Sequence, residues 1–140
     1  MTDAFRAGAI FRYPYLWFWQ DAKGETAGRK ERPVCVIMPV KHGGLTHLLL
    51  LPISSQPPAD VNRLAVEITP LEARRAGLDH SKRAWISLDD LNYDIVEKSH
   101  CFDPSKGPTG FYSEAFTQDV GRRLKVLLRE KRARIVDRTK

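Results

Sequence analysis

Apolar, β-branched residues concentrate in short runs along the chain, and polar segments rich in Gly and Pro separate these runs. Each run has the length and composition of a strand. The predicted strands are residues 8–13, 32–40, 46–53, 64–68 and 84–88. The run at 32–40 is the most continuously apolar of them, which is typical of a central strand.

Two segments predict helices. Thr69-Pro70-Leu71-Glu72 combines a capping hydroxyl, a proline at the first helical position and an acid in the first turn, and Gly77 ends this helix after about two turns. From Ser113 onward, apolar residues recur at the spacing of one helix face. They are Phe116, Val120, Leu124, Leu127 and Leu128.

The order of these elements indicates the fold class. Strands come first, then a short crossing helix, a further strand and a C-terminal helix. This order predicts a mainly β (α+β) fold, in which a small, strongly bent antiparallel sheet or barrel carries a packed helix. With 140 residues, the chain is long enough for one domain with a real core, spanning 1–140.

Positive charge is concentrated at the C-terminal end. The chain has a formal net charge of +6, and residues 122–140 contain nine Lys/Arg against two Asp/Glu. We predict a basic tail at roughly residues 130–140. Such a segment attracts polyanions; the alternative is a solvated helix face without a ligand.

Composition excludes several classes of protein. No apolar run approaches the ~18–20 residues that span a bilayer, and the first residues lack the features of a signal peptide. Cys35 and Cys101 lack metal-ligand spacing, and Cys35 lies in a predicted strand as a small buried residue. We expect a cytoplasmic protein that has no membrane partner and no metal.

Polar side chains occur at the ends of the two most apolar strands. Arg32 opens the run 32–40, and Ser54 and Ser55 close the next one. If these strands are antiparallel neighbours, the three side chains meet at one sheet edge. A guanidinium beside hydroxyls suits a phosphate group. The alternatives are that Arg32 pairs with a surface carboxylate and that the serines only lead into a loop.

An aromatic and basic segment precedes Arg32. In an extended chain, Trp17 and Trp19 share a face, where they stack on unpaired bases or form a core or dimer interface. Lys23, Arg29 and Lys30 follow on a polar loop and suit backbone phosphates, although solvated loop charges are common.

Candidate acids and bases are few. Asp89 follows the strand at 84–88 and is a candidate general base, provided that burial or its neighbour Asp90 raises its pKa. The alternative is that Asp89 only begins a turn. The histidines are scattered without ligand spacing, and one of them acting as the acid or base is a further alternative. They are His42, His47, His80 and His100.

The chain resembles the PemK/MazF family of toxin endoribonucleases over roughly residues 8–128. The resemblance is carried by a Gly-x-Ile opening strand, Arg32-Pro33-Val34-x-Val36-Ile37, Pro52-Ile53-Ser54-Ser55, a strand ending in Asp89 and a terminal helix. The family's corresponding signatures are an RPVLV-like strand and a P-[IV]-[TS]-S strand end.

This resemblance implies an SH3-like barrel that forms a homodimer, cleaves single-stranded RNA without a metal or cofactor, and is blocked by a cognate antitoxin. Arg32 matches the family's catalytic arginine. Ser54 matches the residue that contacts the scissile phosphate, with Ser55 beside it, and Asp89 matches an acid used by some members. We therefore expect a sequence-selective endoribonuclease of a toxin–antitoxin pair.

The chain departs from the family pattern in two places. Ser87 stands where some members carry an arginine, and residues 56–82 are longer and differently charged than the usual connection. A second hypothesis is therefore a catalytically degenerate barrel that binds nucleic acid or protein, as gyrase-inhibiting toxins of related fold do. Arg32 beside Ser54 in a basic groove favours the enzyme, whereas Arg32 paired with a distant carboxylate favours the binding module.

Overall fold

A computed structural model describes residues 4–28, 30–58, 64–103 and 105–139. Within these residues the chain forms eight strands and three α-helices. The strands are β1 (Ala9–Tyr13), β2 (Arg32–His42), β3 (Leu45–Ser54), β4 (Ala65–Ile68), β5 (Ala84–Ser87), β6 (Asp90–Ile95), β7 (Gly110–Phe111) and β8 (Arg134–Asp137). The helices are α1 (Phe18–Ala22), α2 (Pro70–Arg75) and α3 (Glu114–Arg129), and a 3₁₀ turn spans Val96–Lys98.

The strands form one strongly bent sheet, which confirms the predicted mainly β fold. Its main path runs β4-β5-β3-β2-β1-β7, and β6 pairs with β3 on one side and with β8 on the other. Strand β3 pairs with β2 along one edge. Along its other edge it pairs first with β6, at His47–Leu50, and then with β5, at Ile53–Ser54. This change of partner bends the sheet.

Strands β2 and β3 are antiparallel neighbours, as predicted. Val34 lies opposite Pro52, and the same register, continued by two residues, brings Arg32 level with Ser54. The turn between the strands contains Gly43 and Gly44 at φ 62° and 75°, a left-handed conformation that glycine adopts without steric cost. The ends of both strands therefore meet at one edge.

Strand β2 is buried on both faces, which explains its uninterrupted apolar sequence. Val34 and Val36 belong to one hydrophobic cluster, and Cys35 and Ile37 belong to another. The second cluster includes Leu124 of α3, so the C-terminal helix packs on this face of the sheet. Cys35 is a buried free thiol, as predicted.

Both predicted helices are present. Thr69 caps α2 by accepting a hydrogen bond from the Glu72 amide, and Ser113 caps α3 by accepting one from the Phe116 amide. The buried side chains of α3 include Val120 and two leucines of the predicted face.

The segment 130–140, which was predicted to be a tail, forms a strand at its centre. Residues Arg134–Asp137 form β8, which runs parallel to β6 and places the buried Val136 opposite Asn92. One buried apolar side chain and ladder hydrogen bonds suffice to order this short segment. Its sequence, Arg-Ile-Val-Asp, contains only two apolar residues and gave too weak a pattern for a strand prediction.

A row of polar side chains lies inside the fold. The β6 polar row consists of Asp90, Asn92 and Asp94, which are 5%, 0% and 2% exposed. Alternate residues of a strand share a face, so the three side chains point the same way. The Tyr13 hydroxyl donates to Asp94 over 2.7 Å, and burial beside this carboxylate raises the pKa of Tyr13 far above its ordinary range.

The β6 polar row holds the chain that follows β1. The Tyr15 hydroxyl donates to Asp90 over 2.5 Å. Asn92 accepts from the Leu16 amide over 3.0 Å and donates to the Leu16 carbonyl over 2.7 Å. These bonds fix the direction of the chain just before α1.

One arginine completes this network. Arg138 Nη1 donates to the Pro14 carbonyl over 2.8 Å and to Asn92 Oδ1 over 3.0 Å, and its guanidinium lies 5.4 Å from the centre of the Tyr13 ring. The chain just after β8 thereby supplies a charged donor to Asn92, the middle residue of the β6 polar row.

Among the described helices, none combines the length and the apolar character that a membrane span requires.

We expect Asn92→Ala to destabilise the fold strongly. The substitution leaves the buried Leu16 amide and carbonyl without their partner, which costs about 1–3 kcal/mol for each unpaired group. Urea denaturation followed by circular dichroism measures the change. As a control, Gln118→Ala removes only an exposed bond to Glu114 and should stay within about 0.5 kcal/mol of wild type. Equal stability of the two variants would contradict the role of the polar row.

Candidate anion-binding groove

An open groove of about 470 Å³ lies between the start of β2 and the segment that joins α2 to β5. Its basic lining residues are Arg12, Lys30, Arg32, Lys82 and Arg83, and its acidic ones are Glu31 and Asp79. Basic groups outnumber acidic ones, so the groove attracts anions.

Arg32 is the most confined of these cations. Its guanidinium lies 5.1 Å from the centre of the Trp17 ring, within the range of a cation–π contact. Its Nε atom is buried and has no hydrogen-bond partner in the described part of the chain. Burial lowers the pKa of Arg32, yet an arginine remains charged at neutral pH. Arg32 thus offers a partly desolvated, charged donor.

The two serines line different cavities. Ser55 follows the last residue of β3 and lines the groove with Arg32. The Ser54 hydroxyl accepts a hydrogen bond from the Gln56 amide over 3.0 Å and lines an adjacent slot with Trp17. The predicted meeting of the arginine and the serines at one edge is confirmed, with Ser55 rather than Ser54 in the groove itself.

The two tryptophans do not alternate along a strand, so that part of the prediction is wrong. Trp17 is the N-cap of α1 and Trp19 lies within the helix. The helix begins here because the Gln20 side chain accepts from the Trp17 amide over 2.9 Å and Asp90 accepts from the Phe18 amide over 3.3 Å.

Both tryptophans nevertheless border one cavity. Trp17 and Trp19 line a space of about 290 Å³ together with Lys30 and Arg32. Trp17 is half-buried, and Trp19 is 45% exposed. The ammonium of Lys23 lies 5.3 Å from the centre of the Trp19 ring. An aromatic surface therefore adjoins the basic groove.

The three loop cations that were predicted to contact phosphates differ in their relation to the groove. Lys30 is exposed and lines both the groove and the tryptophan cavity. Lys23 lies beside Trp19 and is not among the described residues that line the groove. Arg29 lies outside the described residues.

Asp89 is not brought together with Arg32. Its carboxylate accepts from the Leu64 amide over 3.3 Å, and its carbonyl accepts from the Arg134 amide over 2.9 Å. It is absent from the described lining of the groove. These bonds fix the turn between β5 and β6, which matches the alternative that Asp89 only begins a turn.

The groove's own carboxylates are Glu31 and Asp79, which sequence reasoning missed. Asp79 accepts from the Ser81 amide over 3.0 Å and from the Ser81 hydroxyl over 2.6 Å. These bonds lower the pKa of Asp79, so it is ionised at neutral pH. The Glu31 carbonyl accepts from Arg12 over 3.2 Å.

The second wall of the groove comes from residues 77–84, which join α2 to β5 and include its first residue. Lys82 and Arg83 are exposed there, and Arg83 donates to both carboxylate oxygens of Glu67 over 2.7 Å. The adjacent Lys82-Arg83 pair before a predicted strand was the available sequence signal. Nothing local indicated that it lies across from Arg32.

No histidine is among the described residues that line the groove, although His80 directly follows Asp79 and acts on its charge. His47 Nδ1 lies 2.7 Å from the Tyr93 hydroxyl oxygen in a half-buried contact. Among the described residues, no group of three or more His, Cys, Asp or Glu is arranged to hold a metal ion.

Comparison of the chain with protein-family models, with curated proteins and with solved structures gives no match. The resemblance to the PemK/MazF family therefore stays a prediction.

We expect Ser81→Ala to raise the pKa of Asp79 towards its ordinary value of 3.8, because both the hydroxyl donor and the turn it supports are weakened. In wild type, a lowered folded-state pKa adds stability above the unfolded-state pKa, and this stability is lost as the pH falls. NMR titration of the aspartate carboxyl carbons measures the shift.

The matched control is Asp103, which makes the same two bonds with Ser105 at another site. Its lowered pKa should not change in Ser81→Ala. An unchanged Asp79 titration would show that the serine does not set the charge of this groove residue.

Proposed function

We propose that this protein is a metal-independent, sequence-selective endoribonuclease that cleaves single-stranded RNA, acting as the toxin of a toxin–antitoxin pair. The observation that carries the proposal is Arg32, a half-buried guanidinium whose Nε lacks a partner among the described residues and which faces a basic groove beside Ser55. The resemblance to PemK/MazF toxins points to the same residue.

Two features of the site favour single-stranded RNA as the substrate. The basic groove suits a polyanionic backbone. Trp17 and Trp19 border the adjoining cavity, and aromatic rings stack on unpaired bases with ~1–3 kcal/mol for each base. In a duplex the bases are already stacked on each other, so this surface favours a single strand.

RNA supplies its own nucleophile for the reaction. The ribose 2′-oxygen attacks phosphorus after losing its proton, and the bond from phosphorus to the 5′-oxygen breaks. The 5′-oxygen keeps the electron pair and takes up a proton from solvent in the open groove. The products are a 2′,3′-cyclic phosphate and a 5′-hydroxyl.

Arg32 stabilises the negative charge that develops on the phosphorane. A preorganised donor of this kind commonly contributes ~2.7–4 kcal/mol to transition-state stabilisation. The Ser55 hydroxyl donates to a non-bridging oxygen in the same groove. Ser54 lines the adjacent slot rather than the groove, so we give it a less direct role in phosphate binding than Ser55.

We assign the general base to Glu31 rather than to Asp89. Glu31 lines the groove, whereas Asp89 accepts from the Leu64 amide away from it. Asp79 also lines the groove, but its lowered pKa makes it the weaker base.

A second candidate function is binding of RNA without cleavage. The position of Asp89 favours it, because the acid that the resemblance implies does not line the groove. Ser87, in place of an arginine of some family members, points the same way.

The proposal includes the partners that the resemblance implies. These are a cognate antitoxin that covers the groove and a second copy of the chain in a homodimer, both in the cytoplasm.

The test is incubation of the protein with a long mixed-sequence single-stranded RNA in EDTA. We expect discrete cuts with 2′,3′-cyclic phosphate ends. Arg32→Ala should slow cutting by about 10²–10³-fold, since one charged donor to the transition state is lost. Denaturing gels and end analysis measure both.

Arg6→Ala is the matched control. Like Arg32, Arg6 lies over an aromatic ring, 3.9 Å from the centre of Phe111, but it is exposed and is not among the described residues that line the groove. It should cut like wild type. Binding without cutting would favour the second candidate function, and cutting of an RNA whose 2′-hydroxyls are replaced by hydrogen would exclude the mechanism.

A further inference from the structure

A narrow slot of about 110 Å³ lies next to the groove and is not used by the chemistry above. Trp17 and Trp85 both line it, together with the hydroxyl-bearing residues Ser54 and Ser87. The slot is far smaller than the 470 Å³ groove, so it suits one planar ring rather than a length of chain. Sequence reasoning gave Trp85 no role.

The sheet fixes the polar and aromatic sides of this slot. Ser54 of β3 lies directly opposite Trp85 of β5, so their side chains are cross-strand neighbours on one face. Ser87 lies two residues beyond Trp85 on the same strand and therefore shares this face. Trp85 and Ser87 are half-buried, whereas the alternate residues Ala84 and Ile86 are buried in the core.

Each tryptophan of the slot is joined to a cation of the groove. The Arg32 guanidinium lies 5.1 Å from the Trp17 ring centre, and the Arg83 guanidinium lies 5.0 Å from the Trp85 ring centre. Both arginines also line the groove. A nucleotide with its phosphate in the groove therefore has its base within reach of the slot.

We propose that this slot binds one unpaired base of the RNA and sets the sequence selectivity of the site. Trp17 and Trp85 provide stacking surfaces, and the hydroxyls of Ser54 and Ser87 donate to and accept from the edge of the base. The inference rests on the proposed function, because it takes the ligand of the groove to be single-stranded RNA.

The experiment measures binding and cutting separately. Binding is followed by fluorescence anisotropy on a mixed-sequence RNA with 2′-O-methyl riboses, which lacks the 2′-hydroxyl nucleophile. Cutting is mapped on the unmodified RNA of the same sequence. Trp85→Ala should weaken binding by about 5- to 160-fold and broaden the set of cut sites, because stacking on one base is lost. Trp85→Phe should keep most of the affinity.

Two further variants distinguish the loss of base binding in the slot from a general loss of stability. Ser87→Leu fills the slot and leaves Trp85 in place, so it should also weaken binding; it keeps the inference testable if Trp85→Ala does not fold. Tyr93→Ala removes a half-buried ring from β6, outside the slot lining, and should bind like wild type after correction for its melting temperature.

The outcomes separate this inference from the proposed function. If wild type cuts, and Trp85→Ala and Ser87→Leu keep its affinity and cut sites, the slot is overturned and the ribonuclease stands. If wild type binds without cutting and both variants weaken binding, the slot stands and the ribonuclease falls. Absence of binding by wild type overturns both.

Discussion

The fold around the groove depends on the hydrogen bonds of the β6 polar row. Buried carboxylates such as Asp90 and Asp94 are costly unless donors satisfy them. Asp94 accepts from Tyr13, the last residue of β1, and from Ser99. Asp90 accepts from Tyr15 and Phe18, and Asn92 bonds to Leu16, so the chain that follows β1 leaves the sheet and runs along β6. It therefore cannot continue as a strand. It turns into α1 with Trp17 at the cap, and Gly28 returns so close to it that an added Cβ would lie 2.3 Å from the Pro14 carbonyl oxygen.

This arrangement connects stability to the chemistry of the groove. Because Trp17 is held by the turn into α1, the Arg32 guanidinium has an aromatic face on which to lie at the sheet edge. The aromatic face satisfies the cation without hydrogen-bonding its Nε, so donor capacity is left for a ligand. A carboxylate partner in the same place would consume that capacity. On the opposite wall, Arg83 likewise lies over the ring of Trp85. There, however, Glu67 already accepts a hydrogen bond from the Arg83 guanidinium.

Elements with strong local patterns were predicted well, and elements that depend on distant partners were not. The strand at 32–40 follows from its continuous apolar run, and the helix from Ser113 follows from apolar residues that recur at the helical period. Strand β6 was missed because its sequence, Asp-Leu-Asn-Tyr-Asp-Ile, turns polar residues inward, against the usual rule.

The site residues divide in the same way, into those predicted from local patterns and those that depend on distant partners. Arg32 and Ser55 were found at strand ends, whereas Asp89 was assigned to chemistry although its carboxylate accepts from the Leu64 amide, and Trp85 was overlooked.

By itself, the sequence determined the mainly β class, the antiparallel pairing that brings Arg32 and the serines to one edge, and the helix that packs on the sheet. These features depend on residues close in the chain and on the periods of strands and helices. Only the tertiary structure decided which groups meet across the groove: Trp17 at Arg32, the segment 77–84 as the second wall, and Glu31 and Asp79 as its carboxylates. Those neighbours are far apart in the sequence, and their approach depends on hydrogen bonds and packing that no local pattern records.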